Sequence, residues 1–262
     1  MDASTPVICC DDVCVDFESS CVLSNIDLDI YAGDFAAILG VNGSGKTTLM
    51  RAMLGLIPLT SGDVRVYGTD LPRFRDWQRL AYVPQRLHSA GAVPVSVHEV
   101  VGASLISPRH RWPRRGDRTT VANALDLVGL AHRRKDRFDS LSGGQQRRVM
   151  IAAALAKNAD VYILDEPTAG VDAESQERIT DTFRHLQGEG RTVLLVTHEL
   201  GAFSSLATRI IVLGSRTGVG SKVLYDGPPP VPEHLSERHW HHSEDVVLRG
   251  TDSGLLEPGT SA

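Results

Sequence analysis

The chain predicts an α/β fold: a mainly parallel sheet covered by helices on both faces, an antiparallel β subdomain at the N-terminus, and a helical lobe inserted midway. Three observations predict it. Val7 to Phe17 and Val22 to Ile30 alternate apolar and polar residues around Glu18-Ser19-Ser20, the pattern of an antiparallel pair. Phe35-Ala36-Ala37-Ile38-Leu39 is a continuous apolar run, as a strand buried on both faces requires, and a helical segment follows from Gly45 to about Leu54. Later strands alternate with helices, the order that builds a parallel sheet.

Taken in order, Asp63 to Tyr67 and Leu80 to Val83 read as strands, and Val97 to Leu105 and Thr119 to Val128 as helices of the lobe, about residues 86–158. Gln145 to Ala156 is a helix rich in alanine and arginine. The strand Val161 to Leu164, a helix from about Glu174 to Leu186, and the strands Val193 to Val196 and Ile210 to Leu213 complete the series. The folded domain is expected to span residues 1–226. Beyond it, Gly227-Pro228-Pro229-Pro230-Val231-Pro232 opens a tail, 227–262, whose prolines cannot continue a sheet or helix.

Composition sets bounds on function. The hydrophobic share of 42% and charged share of 23% are those of an ordinary globular protein. A net charge of -5 without a long basic block argues against a surface that tracks nucleic-acid phosphates. No apolar run approaches the ~18 residues of a membrane helix, and Met1 to Pro6 shows no signal core. Cys9, Cys10, Cys14 and Cys21 match no zinc spacing and read as small packing residues in a reducing compartment.

Gly40-Val41-Asn42-Gly43-Ser44-Gly45-Lys46-Thr47 carries the first chemistry. It has the phosphate-loop pattern in the context that gives the pattern meaning, after a buried strand and before a helix. Glycines let consecutive N–H groups converge on phosphate oxygens, and the helix N-terminus adds partial positive charge. Lys46 is placed for the β- and γ-phosphates of ATP, Thr47 for Mg²⁺, and Thr48 for the α-phosphate. Asp165 ends an apolar strand, so its carboxylate emerges at the sheet edge where ligands bind, able to hold Mg²⁺. Glu166 follows and is placed as general base for an attacking water. Taken alone, such a pair could equally be a solvated strand end. His198 emerges at the same edge, after Val193 to Val196. Ser142, Gly143 and Gly144, within Leu141-Ser142-Gly143-Gly144-Gln145, precede a helix and offer a second anion site. One chain cannot present both glycine-rich sites to one phosphate.

This order of motifs, from about Val7 to Asp226, resembles the ABC ATPase family. The resemblance implies a P-loop NTPase cassette binding ATP and Mg²⁺. It further implies a head-to-tail homodimer in which Ser142, Gly143, Gly144 and Gln145 of one subunit close over nucleotide held by the other. It implies His198 as the switch histidine, Gln85 as the Q-loop glutamine near Mg²⁺ and water, Asp172 in Ala169-Gly170-Val171-Asp172 as the coupling aspartate, and Phe17 as the adenine-stacking aromatic. A strand phenylalanine also has a plain packing reading. Arg147 departs from the family, standing where glutamine is usual, as does Glu199 where aspartate is common; neither change bears on phosphate binding. Ala81-Tyr82-Val83-Pro84-Gln85-Arg86, Val93 to Val97 and Thr168 to Asp172 are similar to the ATP-binding subunits of zinc and manganese importers. That implies integral membrane permease subunits as partners, an extracytoplasmic metal-binding protein indirectly, no nucleic acid, and a place on the cytoplasmic face of the cell membrane. A transporter ATPase for another solute, or a soluble ABC ATPase without a transporter, stays open. His234, His239, His241 and His242, with Glu237, Glu244 and Asp245, give the tail either a zinc-binding role or none. Arg109, Arg111, Arg114, Arg115 and Arg118 read as a solvated loop or a permease contact.

Overall fold

Parallel pairing dominates the larger of two sheets. The structure, a computed structural model, describes residues 5–18, 20–85, 94–106, 116–215, 220–232 and 235. The smaller, antiparallel sheet has strand order β2-β1-β4-β5, formed by β1 (Ile8–Phe17), β2 (Ser20–Ile30), β4 (Ser61–Val66) and β5 (Thr69–Asp70). The larger has order β10-β9-β3-β8-β7-β6, from β3 (Phe35–Leu39), β6 (Leu80–Val83), β7 (Val161–Asp165), β8 (Thr192–Val196), β9 (Arg209–Gly214) and β10 (Lys222–Gly227). All its pairs are parallel except β10 with β9.

Period-two alternation sorts the central strands between two cores, as a sheet buried on both faces requires. Phe35, Ala37, Tyr162, Leu164, Val193 and Leu195 face one core, which they share with Val97 and Val101 of α2 (Val97–Ala103) and Val121 and Leu125 of α3 (Asp117–Leu127). Val149 of α4 (Gly143–Ala156) and Ile179 and Phe183 of α5 (Ala173–Gly188) complete it. Ala36, Ile38, Val161, Ile163, Leu194 and Val196 face the other core, with Ile8, Ile26 and Leu28 of the antiparallel sheet. Between the two sheets runs α1 (Lys46–Met53), with Leu49, Met50 and Met53 fully buried. Each such side chain is worth roughly 1.5–3 kcal/mol of burial, so α1 and the loop before it sit on a firm base.

Two strands were not anticipated. β5 is two exposed residues, and β10 is an edge strand whose place is set by main-chain pairing with β9. The chain also stays packed past Asp226: Val231 lies against Leu39, Ile210 and Val212, and Leu235 is buried. Of the cysteines only Cys10 is buried, while Cys9, Cys14 and Cys21 lie partly exposed on strands that face solvent on one side. No helix among the described residues is long and apolar enough to cross a membrane.

Candidate functional site

The carboxyl ends of β3, β7 and β8 converge on a cavity of about 240 Å³. Its floor is Asn42 to Gly45, from the loop Gly40 to Gly45, and the first turn of α1; Gly40 itself does not line it. Glycine is required at two points of this loop. A Cβ on Gly40 would lie 2.3 Å from the Leu213 carbonyl oxygen, and one on Gly45, which has φ of 81°, would lie 2.8 Å from Leu23. Asn42, Gly43, Ser44, Gly45, Lys46, Thr47 and Thr48 line the cavity together with Gln85, Asp165 and Glu166.

The polar groups inside are poorly matched among themselves. The Ser44 hydroxyl is buried without a hydrogen-bond partner. Lys46 Nζ donates only to its own loop, at 2.7 Å to the Gly40 carbonyl and 2.9 Å to that of Val41. Burial pulls the lysine pKa down, against the opposing pull of Glu166 and Asp165. Burial likewise pushes the Asp165 carboxyl up, partly offset by its bond to Thr47. An orphaned hydroxyl, a half-satisfied ammonium and a buried carboxylate are what a polyphosphate and a hard cation would satisfy. Thr47 Oγ1, 3.3 Å and 3.5 Å from the two Asp165 oxygens, supplies with them an all-oxygen donor set suited to Mg²⁺.

Glu166 stands just beyond β7 with φ of 51°, a left-handed conformation costing on the order of 1–3 kcal/mol at a non-glycine residue. Its N–H donates to the Val196 carbonyl at 2.8 Å, which ties it to the end of β8. His198 Nδ1 lies 3.1 Å and 3.0 Å from its two carboxylate oxygens, and the Thr197 hydroxyl 3.4 Å from one of them. The fold thus brings Lys46, Thr47, Gln85, Asp165, Glu166 and His198 to one place although they span most of the sequence.

Phe17, Ser142, Gly143, Gly144, Gln145 and Asp172 do not line this cavity. Phe17 is exposed at the end of β1. Ser142 caps α4: its hydroxyl accepts the Gln145 N–H while the Gln145 side chain accepts the Ser142 N–H. Asp172 caps α5 in the same manner, its carboxylate accepting from the N–H and hydroxyl of Ser175, and these bonds hold its pKa down. The turn Ser142 to Gly144, the signature turn at the start of α4 (the signature helix), touches the Asp172 loop, since a Cβ on Gly144 would lie 3.2 Å from the Gly170 carbonyl oxygen.

Two participants escaped the sequence reading. Thr197, whose hydroxyl lies 3.4 Å from the Glu166 carboxylate, stands one residue beyond β8 with no motif to mark it. Arg147, read as a mild replacement, is buried with its guanidinium donating to the carbonyls of Pro84, Asp165 and Glu166. Only its position one turn into the signature helix could have signalled this. The histidine-bearing tail segment and Arg109, Arg111, Arg114 and Arg115 lie outside the described residues; Arg118 is on α3.

Phosphate loop, strand-end carboxylates and parallel sheet together define a nucleotide-binding cassette of the P-loop class. The chain belongs to the ABC transporter family, whose cassettes are ATPases: the family model described as ABC transporter matches residues 23–169. It is 37% identical over 209 residues to the zinc transport system ATP-binding protein TroB of Treponema pallidum, covering 79% of this chain and 77% of that one. With the manganese transport system ATP-binding protein MntB of Bacillus subtilis it shares 38% over 212 residues, 79% of this chain and 82% of that one. Among solved structures, a dimeric bacterial ABC transporter cassette superposes with a TM-score of 0.70 at 27% identity, covering 86% of this chain and all of that one.

Proposed function

We propose that this chain hydrolyses ATP as one subunit of a membrane importer for zinc or manganese, working as a head-to-tail homodimer bound to permease subunits on the cytoplasmic face of the membrane. The observation that carries the catalytic reading is the meeting of Thr47, Asp165 and Glu166 in one cavity above the phosphate loop, with His198 against the Glu166 carboxylate. Lys46 and the loop N–H groups bind the β- and γ-phosphates, with Ser44 and Thr48 completing the cradle. Thr47 and Asp165 would hold Mg²⁺, with Gln85 beside them, and the ion when bound would supply positive charge to offset that of the phosphate oxygens. Glu166 takes a proton from water as the water oxygen bonds to the γ-phosphorus and the bond to the β-phosphate oxygen breaks. His198 orients the carboxylate and faces the γ-phosphate, and Phe17 offers its exposed ring to adenine.

Dimerisation is supported by what the cavity lacks. Ser142, Gly143, Gly144 and Gln145 form the capped first turn of α4 outside that cavity, with Asp172 beside it, which supports a reading in which a second subunit presents them. Mixing two inactive variants tests this. Lys46→Met and Ser142→Arg subunits are each expected to be inactive, and their mixture to regain turnover, because the mixed dimer contains one composite site with both intact halves. A mixture as inactive as its components would refute the split site.

The cargo reading rests on the zinc and manganese systems named for the relatives above. Deleting the encoding gene is expected to lower cellular zinc or manganese, measured by elemental mass spectrometry in metal-poor medium. Unchanged content of both metals would reassign the cargo while leaving the ATPase reading intact.

A further inference from the structure

Among the described residues, Arg147 is the one buried cation near the site that the phosphate-binding scheme leaves without a task. It projects from α4, the helix capped by Ser142, yet none of its three hydrogen bonds stays in that helix. Nη1 donates to the Pro84 carbonyl, and Nη2 to those of Asp165 and Glu166. Pro84 immediately precedes Gln85, and Asp165 and Glu166 end β7. A single side chain therefore clasps the signature helix, the Gln85 loop and the strand end that presents both carboxylates. Only a guanidinium provides this, because its donors diverge from a rigid plane and can reach several fixed acceptors at once.

The clasp falls where the backbone most needs support. Glu166 is held at φ of 51°, a conformation that persists only when its surroundings impose it. His198 and Thr197 hold its carboxylate and Val196 accepts its N–H, while its carbonyl accepts from the Ala169 N–H at 3.1 Å and from Arg147, the one side chain that reaches it from another element. We propose that Arg147 is a positioning residue for hydrolysis: it fixes the Glu166 backbone, registers it against the Gln85 loop, and ties both to the helix whose first turn a partner subunit would read. The inference rests on Glu166 being the base.

Full-length Arg147→Met and Arg147→Lys test it; the first removes the donors at similar length, the second keeps the charge without the fork. Both are expected to lower kcat by about 10- to 100-fold, the effect of a small misplacement of a reacting group, while KM for ATP and the affinity for a fluorescent ATP analogue stay within about twofold. In a Glu166→Gln background, Arg147→Met is expected to cause no additional loss, because a clasp on an absent base has nothing to position. Full additivity, wild-type kcat in both variants, or a fall in kcat matched by an equal fall in nucleotide affinity would overturn the inference. If Arg147→Met does not fold, Arg147→Lys decides alone. Glu166→Gln by itself separates the two readings: wild-type turnover there removes the base, whereas an inactive Glu166→Gln beside fully active Arg147 variants removes only the clasp.

Discussion

Replacing Glu166 with glutamine is expected to lower ATP turnover by about 100- to 10,000-fold, the range a positioned general base supplies, while ATP still binds and closed dimers accumulate. Glutamine preserves shape and can still meet His198 and Thr197, but it cannot accept the proton. The phosphate loop is untouched, because Lys46 bonds to its own loop carbonyls. Removing a buried negative charge beside the phosphate site also favours the nucleotide-bound state. Turnover is checked by phosphate release, and dimer by size-exclusion chromatography with Mg·ATP. Turnover at the wild-type rate would take Glu166 out of the role of base. A variant that stayed monomeric at saturating nucleotide would speak against dimer closure driven by ATP.

Lys46→Met is expected to abolish nucleotide binding and, without nucleotide, to stabilise the protein. The two effects share one cause. Burial lowers the Lys46 pKa in the folded chain, so its protonated form is costlier there than in the unfolded chain. The penalty is fully present below the folded pKa and fades as pH rises through that value towards the ordinary lysine range. Methionine fills similar volume without charge and escapes it. Thermal unfolding provides the check. At a hundredfold excess over Kd, ATP adds about 2.7 kcal/mol to a binding-competent protein, or about 2–4 °C of Tm per kcal/mol at this size. The wild type should show that rise, and Lys46→Met should show a higher starting Tm with no rise at all. A lower Tm without nucleotide would mean that the lysine stabilises the empty site.

These expectations draw unequally on sequence and structure. Central strands were legible because a sheet covered on both faces needs uninterrupted apolar runs, and Phe35 to Leu39, Val161 to Leu164 and Val193 to Val196 have them. The phosphate loop was legible because its glycines, lysine and threonine are local in sequence and each has a separate physical reason. β10 was not, since an edge strand owes its place to main-chain bonds that any residue can make. Nor was the burial of Val231 and Leu235, which depends on an apolar patch left open by Leu39, Ile210 and Val212.

By itself, then, the sequence determined the class of fold, the ATP-binding loop and the carboxylates at the strand ends, because short-range patterns dictate periodicity, turn geometry and strand polarity. Tertiary structure alone decided which groups meet. It set Glu166 in a left-handed conformation between Val196, Thr197 and His198, left the Ser44 hydroxyl without a partner, and turned Arg147 from an incidental replacement into a clasp across three elements. The physical reason is that a hydrogen bond between residues far apart in the chain leaves no periodicity in the sequence; it exists only once packing has brought donor and acceptor together.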